Sequence, residues 1–194
     1  MAFRYFDHLG GSSTPATVTV LISGSDVIQV GDAVSCIAAA SADGAGIIPL
    51  VASSSKSVFG VVVDIVDVNG NSVWGSTAVL GSATITGTPT SGSVTVASTN
   101  PTVDKIAAKV IVSKEARFSA DVTGTVNTTV FSATLGAYLN CDDENSLDET
   151  TATRTAGTAR QFYSWGNIDK DDTTRLVVSI NSSEVYNNVD VLAA

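Results

Sequence analysis

Charge is thin in this sequence: 15% of its 194 residues are Asp, Glu, Lys or Arg, and the balance is −9. Between Arg4 and Lys105 the one cation is Lys56. A nucleic-acid partner needs a basic face that releases counterions from phosphate, so this balance argues against one. Histidine occurs once, at His8, and cysteine twice, at Cys36 and Cys141. Two cysteines cannot make a disulfide scaffold and read as buried, reduced thiols. With one histidine so far from the second thiol, the close-spaced ligand set of a zinc site is missing. Long apolar runs are lacking as well, so no segment has the length to cross a bilayer as a helix. The first residues, M-A-F-R-Y-F-D-H-L-G-G, hold no apolar stretch of signal-peptide length, and the expectation is a protein made in the cytoplasm. Neither G-x-x-x-x-G-K-[ST] nor G-x-S-x-G occurs, which removes the best-known phosphate loop and nucleophile elbow.

What the chain has in quantity is Val, Thr, Ser and sixteen glycines, a composition suited to pleated strands and tight turns. The clearest stretch is Val110–Val122, V-I-V-S-K-E-A-R-F-S-A-D-V. Val110, Val112, Ala116, Phe118, Ala120 and Val122 alternate with Ser113, Glu115, Arg117, Ser119 and Asp121, the period of a half-buried strand. Lys114 intrudes on the apolar side, and a bend or bulge is expected there.

Further strands are read at 16–23, 27–37, 47–51, 58–68, 126–134, 135–139, 160–165 and 176–180. Gly31-Asp32 and Leu135-Gly136 are strand-opening turns, and Pro49 confines its strand to an edge. Phe59, Val61, Val63 and Ile65 fall on one face of a central strand that ends at the hairpin signal Asn69-Gly70. The expected class is all-β: a small barrel or sandwich over 16–185. Residues 71–101, free of charge and rich in Ser, Thr and Gly, form an inserted hairpin lobe, and 186–194 a loose tail.

Residues 1–15 read as an arm. Phe3, Arg4, Tyr5 and Phe6 cluster ahead of Gly10-Gly11, and aromatics with Arg are the side chains that anchor interfaces. The expectation is that this tip docks on another chain. His8 lies in the same arm with no nucleophile in view, and no acid/base pair stands out elsewhere, so no enzymatic activity, cofactor or metal is expected. The acidic run Cys141–Glu149 lacks the order and pivotal Gly of a calcium loop and reads as a solvated polar loop extending to Ala156. Asp169–Asp172 reads as a charged turn.

The order of these pieces resembles the small β-barrel domain of tailed-bacteriophage head decoration (cement) proteins. The likeness runs from Val27 to Ile180, through Gly31-Asp32, Gly46–Pro49, Phe59-Gly60-Val61-Val62, Glu115–Phe118, Leu135-Gly136, Gln161-Phe162 and Leu176–Asn181. It implies a virion protein on the capsid exterior, a homotrimer that clamps neighbouring major-capsid subunits, with Phe3, Arg4, Tyr5 and Phe6 as capsid-binding residues. The lobe at 71–101 exceeds what that compact domain needs. A second reading is a carbohydrate- or cell-surface-binding β-module with Trp74, Trp165 and Tyr163 as stacking residues.

Overall fold

The computed structural model describes residues 3–9, 15–22, 27–37, 46–50, 58–66, 72, 79–80, 83–86, 93–95, 107–123, 135–155, 160–167 and 174–181. The expected strand at 126–134, the Gly10-Gly11 hinge, the Asn69-Gly70 and Asp169–Asp172 turns, Trp74 and the 186–194 tail lie outside them. The described residues form an all-β fold. Its first half runs β1 (Arg4–His8), β2 (Thr17–Leu21), β3 (Val27–Gln29), β4 (Ala33–Ile37), β5 (Gly46–Pro49), β6 (Gly60–Val66), β7 (Val79–Leu80), β8 (Ala83–Thr86) and β9 (Ser93–Thr95). The second half runs β10 (Ala107–Ile111), β11 (Ala116–Thr123), β12 (Tyr138–Asp143), β13 (Ser146–Thr153), β14 (Phe162–Gly166) and β15 (Arg175–Ile180).

Strand β11 organises the larger sheet, whose order is β1-β11-β13-β12-β14-β15, with β15 returning to pair with β11. That return closes five strands into a barrel. Alternation then sorts the side chains: Phe118, Leu139, Leu147, Phe162, Leu176, Val178 and Ile180 are buried in one core, as a closed sheet with one inner face requires.

The long strand expected over Val110–Val122 is two strands. β10 ends at Ile111, Lys114 and Glu115 form an exposed turn, and β11 begins at Ala116. Ser113 makes the turn: its carbonyl accepts from Ala116 N–H (3.2 Å) and its Oγ from Glu115 N–H (3.2 Å). The break moves the chain from one sheet to another, since β10 belongs to a five-stranded sheet, β2-β10-β6-β4-β5. This second sheet curls until Ile22 bridges Ile47, and it encloses a second core of Ile22, Val34, Ile47, Val62, Ile65, Ala108 and Val110, joined by Ile28 from β3. Its other face gives Ala33, Val61 and Ile111 to the barrel core.

One face assignment in β6 is corrected. The β10–β6 register slips between Asp64 and Val62, which makes Val63 a bulge. Ile65 therefore joins Val62 in the second core, where Phe59 also packs, while Val61 and Val63 stay with the first. Gly60 sits where the two sheets come closest: a Cβ there would lie 2.3 Å from the Ile111 carbonyl oxygen. The expected lobe supplies β7, β8 and β9, and β9 pairs with β3 of the same chain to make a four-stranded sheet. The expected polar loop after Cys141 is instead a hairpin, β12–β13. Asp143 Oδ1 accepts from Asn145 N–H (3.0 Å) and Ser146 Oγ–H (2.6 Å), tying the turn, and Leu147 anchors it in the core. The sequence is polar there because the remaining β13 residues are half-buried or exposed and stay in reach of water.

The Gly31-Asp32 turn is the joint between these parts. Gly31 holds φ at 96°, a region open to glycine; its N–H donates to the Val62 carbonyl of β6 (2.8 Å) and its carbonyl accepts from Phe3 N–H (2.9 Å). Ala33 N–H donates to the Glu144 carbonyl of the β12–β13 turn (2.6 Å). Asp32 is buried at the centre, accepting from Gln29 N–H at 2.7 Å. Burial pushes its carboxyl up to about 7, with Glu144 and Asp143 adding to the rise and the Gln29 hydrogen bond opposing it. Folding thus raises this pKa from 3.8, so the folded chain holds a proton that the unfolded chain has released. The stabilisation is complete below about pH 4 and is lost as pH rises to about 7. Asp32→Asn keeps an acceptor for Gln29. In urea melts it is expected to flatten that decline and to raise stability at pH 8 by on the order of a few kcal/mol.

Candidate functional site

The arm is where structure and expectation differ most. Residues 3–9 lie on their own barrel, with β1 antiparallel to β11 in the register Arg4↔Ser119, Tyr5↔Phe118, Asp7↔Arg117 and His8↔Ala116. Phe3 is 2% exposed and stacks on Phe162 at a ring distance of 4.9 Å. It is therefore a core residue of this chain and is withdrawn from the partner-facing set. The physical reason is the uncovered half of the β11 edge: β13 pairs only with Asp121–Thr123, leaving Ala116–Ser119 for β1. Arg4, Tyr5 and Phe6 remain exposed, Tyr5 at 40% and Phe6 at 45%.

Arg117 joins this strand to the rest of the outer face. Its guanidinium pairs with both carboxylate oxygens of Asp7 and lies over the Phe6 ring (6.0 Å) and the Trp165 ring (5.7 Å). Two aromatic side chains from strands far apart in sequence are thus held by one cation. His8 Nε2 lies 3.2 Å from Ser113 Oγ and 3.7 Å from Glu115 Oε2, which fastens the end of β1 to the β10–β11 turn. Leu9 N–H continues the pairing to the Glu115 carbonyl (3.0 Å).

From Arg117 a row of directly paired residues runs round the barrel: Arg117↔Ser179, Ser179↔Tyr163 and Tyr163↔Tyr138. In F-Y-S-W-G of β14 the alternation sends Phe162 and Ser164 inward and Tyr163 and Trp165 outward. Trp165 donates its indole N–H to Ser179 Oγ at 3.1 Å, which fixes the ring plane. Tyr163 meets Trp165 edge-on at 5.0 Å and Tyr138 at 5.2 Å. These three rings line an open groove of about 410 Å³. Its polar edge is made by Lys114, Glu115 and Asn181, with Leu9 at the β1 end.

Of the residues singled out in the sequence, the fold brings Tyr163 and Trp165 together and links Phe6 to Trp165 through Arg117. Tyr138 was missed as a site residue; its signal is the outward parity it shares with Tyr163 once the β12–β14 register is known. Cys141 is not a reactive centre: burial pushes its thiol up to about 12. The described residues hold no group of three or more His, Cys, Asp or Glu placed to bind a metal.

Because Arg117 carries the contacts that hold β1 to the outer face, Arg117→Lys keeps the charge but loses the two-pronged pairing. Amide exchange at His8 and Leu9 is expected to speed up about five- to tenfold, while exchange in β14 and β15 stays unchanged.

Comparison with protein-family models, with curated proteins and with solved structures returns no match to this chain.

Proposed function

We propose that this chain is a structural virion protein that binds the outer surface of a mature phage capsid and stabilises it by clamping adjacent major-capsid subunits as a homotrimer. The observation that carries this reading is the exposed Arg4-Tyr5-Phe6 segment on a sheet-terminal strand. Phe6 (45% exposed) and Trp165 (37%) flank Arg117, Tyr5 (40%) is exposed on the Phe118 side of the same strand, and Leu9 (45%) is exposed just past its end. Aromatic and Arg side chains grouped in this way are the composition of protein-docking anchors.

The mechanism is burial and strand addition, with no covalent step. Among the described residues β1 pairs on one edge only, with β11. A capsid segment laid along the other edge would gain main-chain hydrogen bonds there while Tyr5 and Phe6 fill its side-chain pockets. Three linked copies raise the effective concentration of each contact, so weak single contacts sum to a durable clamp. In this reading the arm works as a rigid strand already in place, which lowers the ordering cost of binding.

Removing residues 1–9 would take Phe3 from the core, so point changes are the clean test. The triple variant Arg4→Ala, Tyr5→Ala, Phe6→Ala should keep its thermal midpoint within a few degrees and its solution mass. Its co-sedimentation with mature capsid shells should fall at least about a hundredfold in affinity, on the order of two anchor side chains. Undiminished sedimentation of that variant, or failure of the unmodified chain to sediment with shells, would overturn the reading.

A further inference from the structure

We infer that the Tyr138–Tyr163–Trp165 groove on the outer barrel face is a binding site for a neutral saccharide. Its three rings lie outside the Arg4-Tyr5-Phe6 segment, with Leu9 and Trp165 on the border between the two, and it holds whatever partner that segment meets.

Three features point to this ligand class. The first is the shape and floor. The groove's volume of about 410 Å³ falls within the roughly 300–1,000 Å³ usual for small-ligand sites. Three rings from two adjacent strands form its apolar side. A pyranose ring presents C–H bonds on its broad faces, which lie well against aromatic surfaces, and hydroxyls round its rim.

The second feature is the polar edge. Tyr138 and Tyr163 end in hydroxyls, and Glu115, Lys114 and Asn181 supply a carboxylate, an ammonium and an amide round the same opening. Glu115 has a side chain 53% exposed, so its carboxylate can accept from ligand hydroxyls without a burial cost. Such a mixture of donors and acceptors matches a polyol and is poorly suited to an aliphatic side chain, which would leave the polar groups unpaired.

The third feature is charge. Lys114 and Glu115 offset each other at the groove, and the chain as a whole carries −9. A nucleotide could stack on the same rings, but its phosphate would meet an acidic protein with a single lysine at the mouth. An uncharged sugar meets no such repulsion.

Preorganisation supports a site rather than three chance aromatics. Trp165 is held by Ser179 through its N–H and by Arg117 over its ring. Tyr163 is clamped between Tyr138 and Trp165. Rings fixed before binding lose little freedom when a ligand arrives.

The test uses the full chain on a panel of immobilised neutral oligosaccharides, with hits measured in solution by saturation-transfer NMR and calorimetry. At least one neutral saccharide should bind. Tyr163→Ala should abolish detectable binding, and Glu115→Gln, which keeps the side chain's size and the backbone bonds of Glu115 to Leu9 and Ser113, should weaken it about tenfold, the value of one charge-assisted hydrogen bond. Tyr5→Ala, which alters the proposed capsid anchor alone, should leave it unchanged. No neutral hit on the panel, binding confined to anionic sugars, or hits that survive both groove substitutions would each overturn the inference. Loss with Tyr5→Ala but not with Glu115→Gln would place sugar binding elsewhere and overturn it too.

Discussion

Strand β11 has two edges and three partners. β15 runs along one edge from Arg117 to Asp121, while β1 and β13 share the other in succession, β1 over Ala116–Ser119 and β13 over Asp121–Thr123. The sharing is what the barrel depends on. A parallel β11–β13 contact of three residues leaves the first half of β11 with unpaired N–H and C=O groups beside a hydrophobic core, which a folded chain has to satisfy. The segment at 4–8 satisfies them, and Phe3 follows it into the space over Phe162. The N-terminal residues thus cover the open half of β11 from outside the five-stranded ring, and their exposed side chains are displayed on a rigid support.

The same strand explains why two cores coexist. The Lys114–Glu115 turn lets the thirteen residues Val110–Val122 serve two sheets, with Val110 in one interior and Phe118 in the other. The sheets must then approach closely at their junction, and Gly60 marks the place, since any side chain there would meet the Ile111 backbone. Asp32 is the polar counterpart of that approach. It is buried where β3, β4, β6 and the β12–β13 turn converge, so the joint becomes less comfortable as its carboxyl ionises.

Alternation made much of this legible. The all-β class, the turns at Gly31-Asp32 and Leu135-Gly136, the edge position of Pro49, the central position of β6 and the inward face Leu176, Val178, Ile180 all follow from local period and turn chemistry. What escaped depends on pairing between distant segments. The covering of β11 by β1 needs the length of the β13 contact, which no local pattern contains. The Val63 bulge shifts Ile65 to the other face without any change in residue type. β13 reads as loop because Asp148, Glu149 and three threonines fill most of it, and Leu147 is its one fully buried apolar side chain. For the surface, Tyr163 and Trp165 could be seen as a pair two residues apart, whereas Tyr138 and Arg117 join them only through the sheet.

The outer aromatic face is a by-product of nothing in the core. Phe162 and Ser164 would fill the barrel equally well if Tyr163 and Trp165 were threonines, as many outward positions of β13 are. Large rings facing water gain little from folding and add sticky surface, so the run of them around one arginine is not accounted for by the core. The run also has internal order: Asp7 sets Arg117, Arg117 and Ser179 set Trp165, and Trp165 sets Tyr163. Each of those links costs a side chain its freedom and returns little stability at a solvated surface. Their combined effect is to hold a shaped, amphipathic face in position on a closed barrel, which is the condition for binding and is not required for folding.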